Sequence, residues 1–243
     1  MSRALRRTHL TPAYVLHHLP YRDTSRILEV LTREHGRLSL FARGVRGPKS
    51  KLAALLQPFR LLLVSWSGRG EAPQLTGAEL PASSAGAAAL PASCFMACYY
   101  LNELVLKLTT RHDPHPALFD SYTQALEELR RGAALEPHLR IFEKRLLAEV
   151  GYGLDLTVES RTGRRIAPGA YYFFHPGEGL VATSPGSPGA LPGSSLESLD
   201  REHLTTPAQL ADARRLLKSA LDHCLEGREL ATRAVAREIL QLR

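Results

Sequence analysis

The first third of the chain alternates apolar and polar residues in the way that β-strands require. Within residues 37–43, Leu38, Leu40 and Ala42 share one face, and the residues between them share the other. Further short apolar runs predict strands over about 14–16, 26–32, 58–66 and 74–80, with Gly36 in a turn. Five short strands within about 70 residues are typical of a small barrel such as an OB-fold.

From residue 92 onward the apolar positions repeat with a helical period. The predicted helices span about 92–110, 116–131, 137–150, 206–224 and 227–243. Between the third and the fourth of them, many Gly, Pro and Ser residues predict a hairpin over 170–182 and a mobile loop over 184–198. The fold class is therefore predicted as α+β. A five-stranded OB-fold barrel would occupy residues 1–82, and an all-α helical domain would occupy 83–243, with an irregular insertion at about 154–205.

The positive charge of the chain belongs to the predicted barrel. The whole sequence has a net charge of +7. Residues 1–80 hold 13 Lys and Arg against 5 Asp and Glu, a net charge of +8, whereas the remainder holds 18 against 19. An excess of positive charge confined to one domain favours a partner that carries a phosphate backbone. No apolar run resembles a secretory signal or is long enough to span a bilayer, so a cytoplasmic protein without membrane contact is expected.

A basic loop follows the strand that ends near Arg43. Residues 44–50 superficially resemble a phosphate-binding P-loop, but the second glycine comes too early and Pro48 separates it from Lys49. Nucleotide hydrolysis is therefore not expected. The loop is either a phosphate-binding element or a solvated loop without a partner. Phe41, between two cations on one strand face, is either a stacking platform for bases or part of the barrel core.

No catalytic, metal-binding or cofactor-binding constellation is recognisable. The three cysteines, Cys94, Cys98 and Cys224, do not have the paired spacing of a zinc site, and the first two are better explained as core thiols. No Gly-x-Ser-x-Gly motif and no cluster of carboxylates occurs in the basic third. We therefore expect neither enzymatic activity nor a bound metal or cofactor.

A second basic cluster lies on the third predicted helix. Arg140, Lys144 and Arg145 flank its apolar face. Such a cluster is either a solvated face or a site for an acidic, partly apolar peptide.

An ordered series of short segments resembles the RecO family of bacterial DNA-repair proteins. The segments are Tyr14-Val15-Leu16-His17, Asp23-Thr24-Ser25-Arg26-Ile27-Leu28, Thr32 to Gly36, Gly44-Val45-Arg46, Gln57-Pro58-Phe59, Gly68-Arg69-Gly70-Glu71, Tyr100-Leu101-Asn102-Glu103-Leu104, Phe142-Glu143, Leu146-Leu147 through Gly151-Tyr152-Gly153, and, more weakly, Leu230-Ala231-Thr232-Arg233. The resemblance covers most of the chain and is weakest over 155–205. Many members of the family carry a four-cysteine zinc module that this chain lacks, so it resembles the zinc-less branch.

The resemblance implies a recombination mediator that is not an enzyme. Such a protein binds single- and double-stranded DNA, anneals complementary strands, and acts with RecR to load RecA onto DNA coated by the single-strand-binding protein. It also implies a nucleoid-associated location, and binding of the C-terminal tail of that coating protein, a contact for which family members use an Arg at the position of Arg140. The candidate DNA contacts are Arg22, Arg26, Arg37, Phe41, Arg43, Arg46, Lys49, Lys51 and Arg69, and the candidate tail contacts are Arg140, Lys144 and Arg145.

Three alternatives remain open on the residues alone. An RNA-binding OB-fold protein would use the same charge and the same strands. An adaptor would use the basic domain to bind an acidic protein. A nuclease would require a cluster of carboxylates or of Cys and His, and we find none.

Overall fold

The computed structural model describes residues 7–47, 50–84 and 88–241. Contacts between Cα atoms divide the chain into two compact units. One unit contains the chain up to Arg131 together with the segment that begins at Ala234, and the second unit is Gly132–Arg233. The boundary expected from the sequence at residues 82–83 stays a prediction.

The first unit contains a closed five-stranded barrel, which confirms the predicted fold class. Its strands follow each other around the barrel in the order β1-β2-β3-β5-β4. They are β1 (Arg7–Tyr21), β2 (Ser25–Thr32), β3 (Gly36–Ala42), β4 (Leu61–Ser67) and β5 (Gln74–Glu79). The alternation predicted for β3 is confirmed, because Leu38, Leu40 and Ala42 all lie in the barrel core. Trp66 also lies in that core and is buried.

A β-bulge in β1 changes the face on which its side chains lie. Ala13 and Val15 point into the core, and the register with β2 shifts between Val15 and His17. After the shift, His18 is opposite the core residue Leu28. A bulge inserts one residue and so reverses the inward–outward alternation that follows it.

Two long helices of the first unit cover part of the outer face of the barrel. They are α2 (Phe95–Leu108) and α3 (Pro116–Arg130). Tyr14 packs against Phe119 and Tyr122, with ring centroids 5.4 and 5.0 Å apart. Asn102 of α2 donates to the Leu16 carbonyl at 2.8 Å and accepts from the Tyr122 hydroxyl at 2.5 Å. These bonds satisfy buried polar groups on the covered half of the face.

The second unit combines helices with a small sheet. Its helices are α4 (Leu135–Glu149), α5 (Gly193–Asp200) and α6 (Pro207–Leu225), and α7 (Ala231–Gln241) begins at its end. The sheet has the order β7-β6-β8. Its strands are β6 (Tyr171–His175), β7 (Gly179–Thr183) and β8 (Leu191–Pro192). The hairpin expected over 170–182 is therefore confirmed.

The prediction of a mobile loop over residues 184–198 is wrong. Residues 191–192 pair with β6, and α5 follows directly. Leu191, Leu196 and Leu199 are buried. A high content of Gly, Pro and Ser indicates turns, but three leucines that reach the core provide enough apolar burial to order the segment. The sequence also gave no indication of the short helix α1 (Lys51–Leu55), which Ser50 caps through its hydroxyl.

Candidate nucleic-acid interface

Tyr21 and Phe41 form an aromatic pair on the outside of the barrel. Their ring centroids are 5.6 Å apart, and the rings are nearly perpendicular. The Arg22 guanidinium lies 5.5 Å from the centroid of the Tyr21 ring. Arg46 donates from Nη1 to the Arg22 carbonyl oxygen at 3.1 Å. We call these four residues the Tyr21 cluster.

The strand register places this surface on the outer face of the barrel. Phe41 is opposite Ile27, and Ile27 is opposite Leu19, so the three side chains share the outer face of β1, β2 and β3. Helices α2 and α3 cover the other half of that face, but Leu19 is 53% exposed and Tyr21 is 39% exposed. Partly exposed aromatic rings next to cations, such as those of Tyr21 and Phe41, suit the stacking of nucleic-acid bases.

The loops at this end of the barrel are held in place by backbone hydrogen bonds. The Arg46 amide donates to the Thr24 carbonyl at 2.8 Å, and the Phe41 amide donates to the Pro73 carbonyl at 2.9 Å. The loop after β3 is thereby fixed to the β1–β2 turn. The connection between β4 and β5, which contains Arg69, ends beside Phe41.

The structure places most of the candidate DNA contacts at accessible positions. Phe41 and Arg26 are half-buried, Lys49 lies outside the described residues, and the exposed candidates are Arg22, Arg43, Arg46, Lys51 and Arg69. The Arg46–Arg22 hydrogen bond and the contacts of the Tyr21 ring bring Arg22, Phe41 and Arg46 together. Lys51 lies in the first turn of α1.

Arg37 requires a correction. Its side chain is only 12% exposed and donates to Glu29 Oε2 at 2.8 Å and to the Thr109 carbonyl at 2.8 Å. Glu29 also accepts from Ser39 and from Arg111, each at 2.5 Å. We call these residues the Glu29 network. Because the Arg37 guanidinium is enclosed and already bound to a carboxylate, we remove it from the candidate interface.

The second basic cluster is bound to carboxylates of its own unit. Arg140 pairs with the fully buried Glu143 at 2.7 Å. Lys144 donates to the Asp200 carbonyl at 2.6 Å, and both Lys144 and Arg145 pair with Glu202. Burial raises the pKa of Glu202, but the Arg145 hydrogen bond and the charges of Arg145 and Lys144 outweigh it and lower that pKa. The cluster is therefore largely neutralised within the chain.

The described residues contain no group of three or more His, Cys, Asp and Glu that could hold a metal ion. The three cysteines are buried. Burial raises the pKa of Cys98 to about 12 and that of Cys224 to about 11, so both thiols are protonated at neutral pH. The expectation that the protein binds no zinc stays a prediction. Within the described part of the chain, no helix is long and apolar enough to cross a membrane.

Comparison with known proteins assigns both parts of the chain to one family. The family model "Recombination protein O N terminal" matches residues 5–83, and "Recombination protein O C terminal" matches residues 94–234. The chain belongs to the RecO family. DNA repair protein RecO of Ralstonia nicotianae is 38% identical over 246 residues, covering 99% of this chain and 88% of that protein. RecO of Nitrosococcus oceani is 41% identical over 235 residues, covering 96% and 94%.

Membership of the RecO family confirms the resemblance drawn from the ordered segments. The chain is therefore a member of a family of DNA-repair proteins. Two contributors to the candidate sites were missed by the sequence reasoning. Tyr21 was not among the candidate DNA contacts, although it precedes the candidate Arg22, and an aromatic residue next to a cation was a usable signal. Glu202 is 57 residues from Arg145, and nothing in the spacing indicated their contact.

Proposed function

We propose that this RecO protein binds single-stranded DNA on the Tyr21 cluster. The observation that carries the proposal is the partly exposed Tyr21–Phe41 pair with the Arg22 guanidinium against the Tyr21 ring. A base stacks on an aromatic face whatever its identity, and each stacked base contributes about 1–3 kcal/mol. Arg22, Arg43 and Arg46 are exposed around the pair and would contact the phosphates.

Stacking of this kind supports strand annealing. A base held by one π-face against Tyr21 or Phe41 keeps its hydrogen-bonding edge free for a complementary strand. Binding through backbone charge and stacking also accommodates duplex DNA through the phosphates alone. We therefore propose that the protein is a recombination mediator without catalytic activity. It would anneal complementary strands and, with RecR, assist RecA on DNA coated by the single-strand-binding protein.

The first test is removal of the two aromatic rings. We expect Tyr21→Ala combined with Phe41→Ala to weaken binding of a single-stranded DNA oligomer at least tenfold, because two stacking surfaces are lost. The same change should slow annealing of complementary strands coated by the single-strand-binding protein. Binding is measured by fluorescence anisotropy, and annealing by fluorescence quenching.

The matched control is Tyr152→Ala, which removes an exposed tyrosine from the second unit. This variant should bind and anneal as the unchanged protein does. Equal affinity of the double variant and the control would contradict the proposed site. Preference for a matched RNA oligomer in direct competition would favour the RNA-binding alternative, and absence of any nucleic-acid binding would favour an adaptor.

We also propose that the cluster of Arg140, Lys144 and Arg145 receives the acidic C-terminal tail of the single-strand-binding protein. Glu202 already supplies a carboxylate to Lys144 and Arg145 in the free chain. An incoming tail carboxylate would therefore replace Glu202. Arg140, which is buried and paired with Glu143, would contribute positive charge one helical turn before Lys144 on α4.

Neutralising Glu202 should strengthen tail binding. We expect Glu202→Gln to raise affinity for a synthetic tail peptide about threefold to tenfold, since the peptide no longer competes with an internal ion pair. The measurement is isothermal titration calorimetry. Glu197→Gln, which breaks an exposed pair with Arg201 on α5, serves as the control and should change nothing. Weaker binding by Glu202→Gln would show that Glu202 orders the site and does not compete for it.

A further inference from the structure

Arg26 differs from its neighbours in having a buried donor without an acceptor. Its Nη1 atom is buried and makes no hydrogen bond within the described part of the chain. By contrast, Arg33 donates to Asp120 at 2.9 Å and Arg37 donates to Glu29 at 2.8 Å. A buried charged donor without an acceptor is unfavourable, and Arg26 as a whole is only half-buried. A movement of the guanidinium that turns this donor toward an external acceptor would therefore break no hydrogen bond of Nη1.

The strand register places Arg26 at the inner rim of the barrel. Arg26 is opposite Pro20 on β1 and Ala42 on β3. His18 is opposite Leu28. Leu28 and Ala42 both belong to the barrel core, and directly paired residues of an antiparallel ladder share a face. Arg26 and His18 are therefore diagonal neighbours on the inward side, where the core ends.

The surroundings of this pair are electropositive. Burial lowers the pKa of His18, and the charges of Arg26 and His17 lower it further. Both of the charged groups that act on His18 are basic. An anion bound next to Arg26 and His18 would offset the repulsion between these basic groups.

We propose that Arg26, with the His18 ring beside it, forms a phosphate-binding site at the barrel rim. The site would take a backbone phosphate of the single strand whose base stacks on Tyr21. This inference rests on the proposed function and adds the path of the strand to it. Tyr21 lies opposite Ser25, one residue before Arg26 in the ladder, but on the outer face. A DNA strand that contacts both Tyr21 and Arg26 must cross the rim of the barrel next to the β1–β2 turn.

The test compares arginine variants in a salt titration of binding to an oligothymidylate. We expect Arg26→Gln to lower affinity roughly tenfold to a hundredfold, the range for loss of a hydrogen bond to a charged group. It should also reduce the slope of log K against log salt by about 0.7, the value for one phosphate contact on a single strand. Arg26→Lys should retain the slope but not the full affinity, because the charge remains and the forked donor geometry is lost.

Two further variants separate this inference from the proposed function. Arg43→Gln tests the exposed cations of the interface, and Arg33→Gln, whose partner is Asp120, should have no effect. If Arg43→Gln weakens binding while Arg26→Gln does not, the rim site is wrong and the proposed function stands. If neither Arg43→Gln nor Arg26→Gln weakens binding, both the rim site and the proposed function are wrong.

A measurement on the unchanged protein removes the dependence on variant folding. The His18 imidazole is titrated by NMR with and without the oligothymidylate. A phosphate next to His18 would oppose the charges of Arg26 and His17 and raise the pKa of the ring. An unchanged His18 titration in a saturated complex would overturn the site.

Discussion

Replacing Glu29 with Gln is expected to lower the free energy of unfolding by about 3 kcal/mol at neutral pH. Among the described residues, Glu29 is the only carboxylate that pairs with Arg37, and the Arg37 side chain is only 12% exposed. Removing one member of a buried ion pair leaves the other charge without compensation, which typically costs about 3–5 kcal/mol. Glutamine keeps the shape and some hydrogen bonds, so we expect the lower end of this range. The measurement is equilibrium unfolding in urea.

The effect of Glu29→Gln should disappear at low pH. Burial raises the pKa of Glu29, but hydrogen bonds from Ser39 and Arg111, the Arg111 charge and the Arg37 hydrogen bond together hold it below its ordinary value of 4.5. The folded-state pKa is thus lower than that of the unfolded chain. The stabilisation is complete above the unfolded pKa and is lost as the pH falls through the folded one. The stabilities of the two proteins should therefore converge in acid.

Glu34→Gln is the matched control for Glu29→Gln. Glu34 is 54% exposed and lies 3.9 Å from Arg33. Its replacement should change stability by less than about 0.5 kcal/mol. Similar losses in both variants would mean that general charge, and not the Glu29 network, determines the stability.

Gly36→Ala is expected to destabilise the first unit by about 3 kcal/mol or more. Gly36 has φ +65°, a conformation that costs an L-residue about 1–2 kcal/mol. A Cβ at this position would also collide with the Asp113 backbone carbonyl. Backbone cannot move aside as a side chain does, because the His112 amide is bound to the Arg37 carbonyl at 2.8 Å.

Gly44→Ala separates the two contributions to this loss. Gly44 has φ +69°, but a Cβ there would have no neighbour within 4 Å. We therefore expect it to lose only about 1–2 kcal/mol, the cost of the backbone conformation. Thermal unfolding of both variants measures the difference. An equal loss would show that the contact with Asp113 contributes nothing.

The barrel could be predicted from the sequence because its signal is local. Alternation along residues 37–43 identified the inward residues of β3, and the register confirms them. The same alternation placed Arg37 and Phe41 on one outer face, but it carried no information on what covers that face. Thr109 and Arg111 enclose Arg37 from more than 70 positions away in the chain, whereas Phe41 is left half-buried beside Tyr21. The candidate site was therefore only partly predictable.

The second unit shows where composition misleads. Glycine, proline and serine suggested a mobile loop over 184–198, but only residues 184–190 form turns, and residues 191–198 belong to β8 and α5. Gly193 is buried, and a Cβ there would collide with the Ala167 carbonyl. At this position glycine allows close approach of two backbones and does not indicate mobility.

The division of the first unit into two chain segments has a consequence for synthesis on the ribosome. The barrel, α2 and α3 emerge first, and the segment that begins at Ala234 joins the same unit only after Gly132–Arg233 has been made. At about 5–20 residues per second, roughly 5–20 s separate the two events. During that interval the nascent first unit is incomplete, while the second unit has emerged in one uninterrupted stretch. The second unit can therefore finish folding before the one that precedes it.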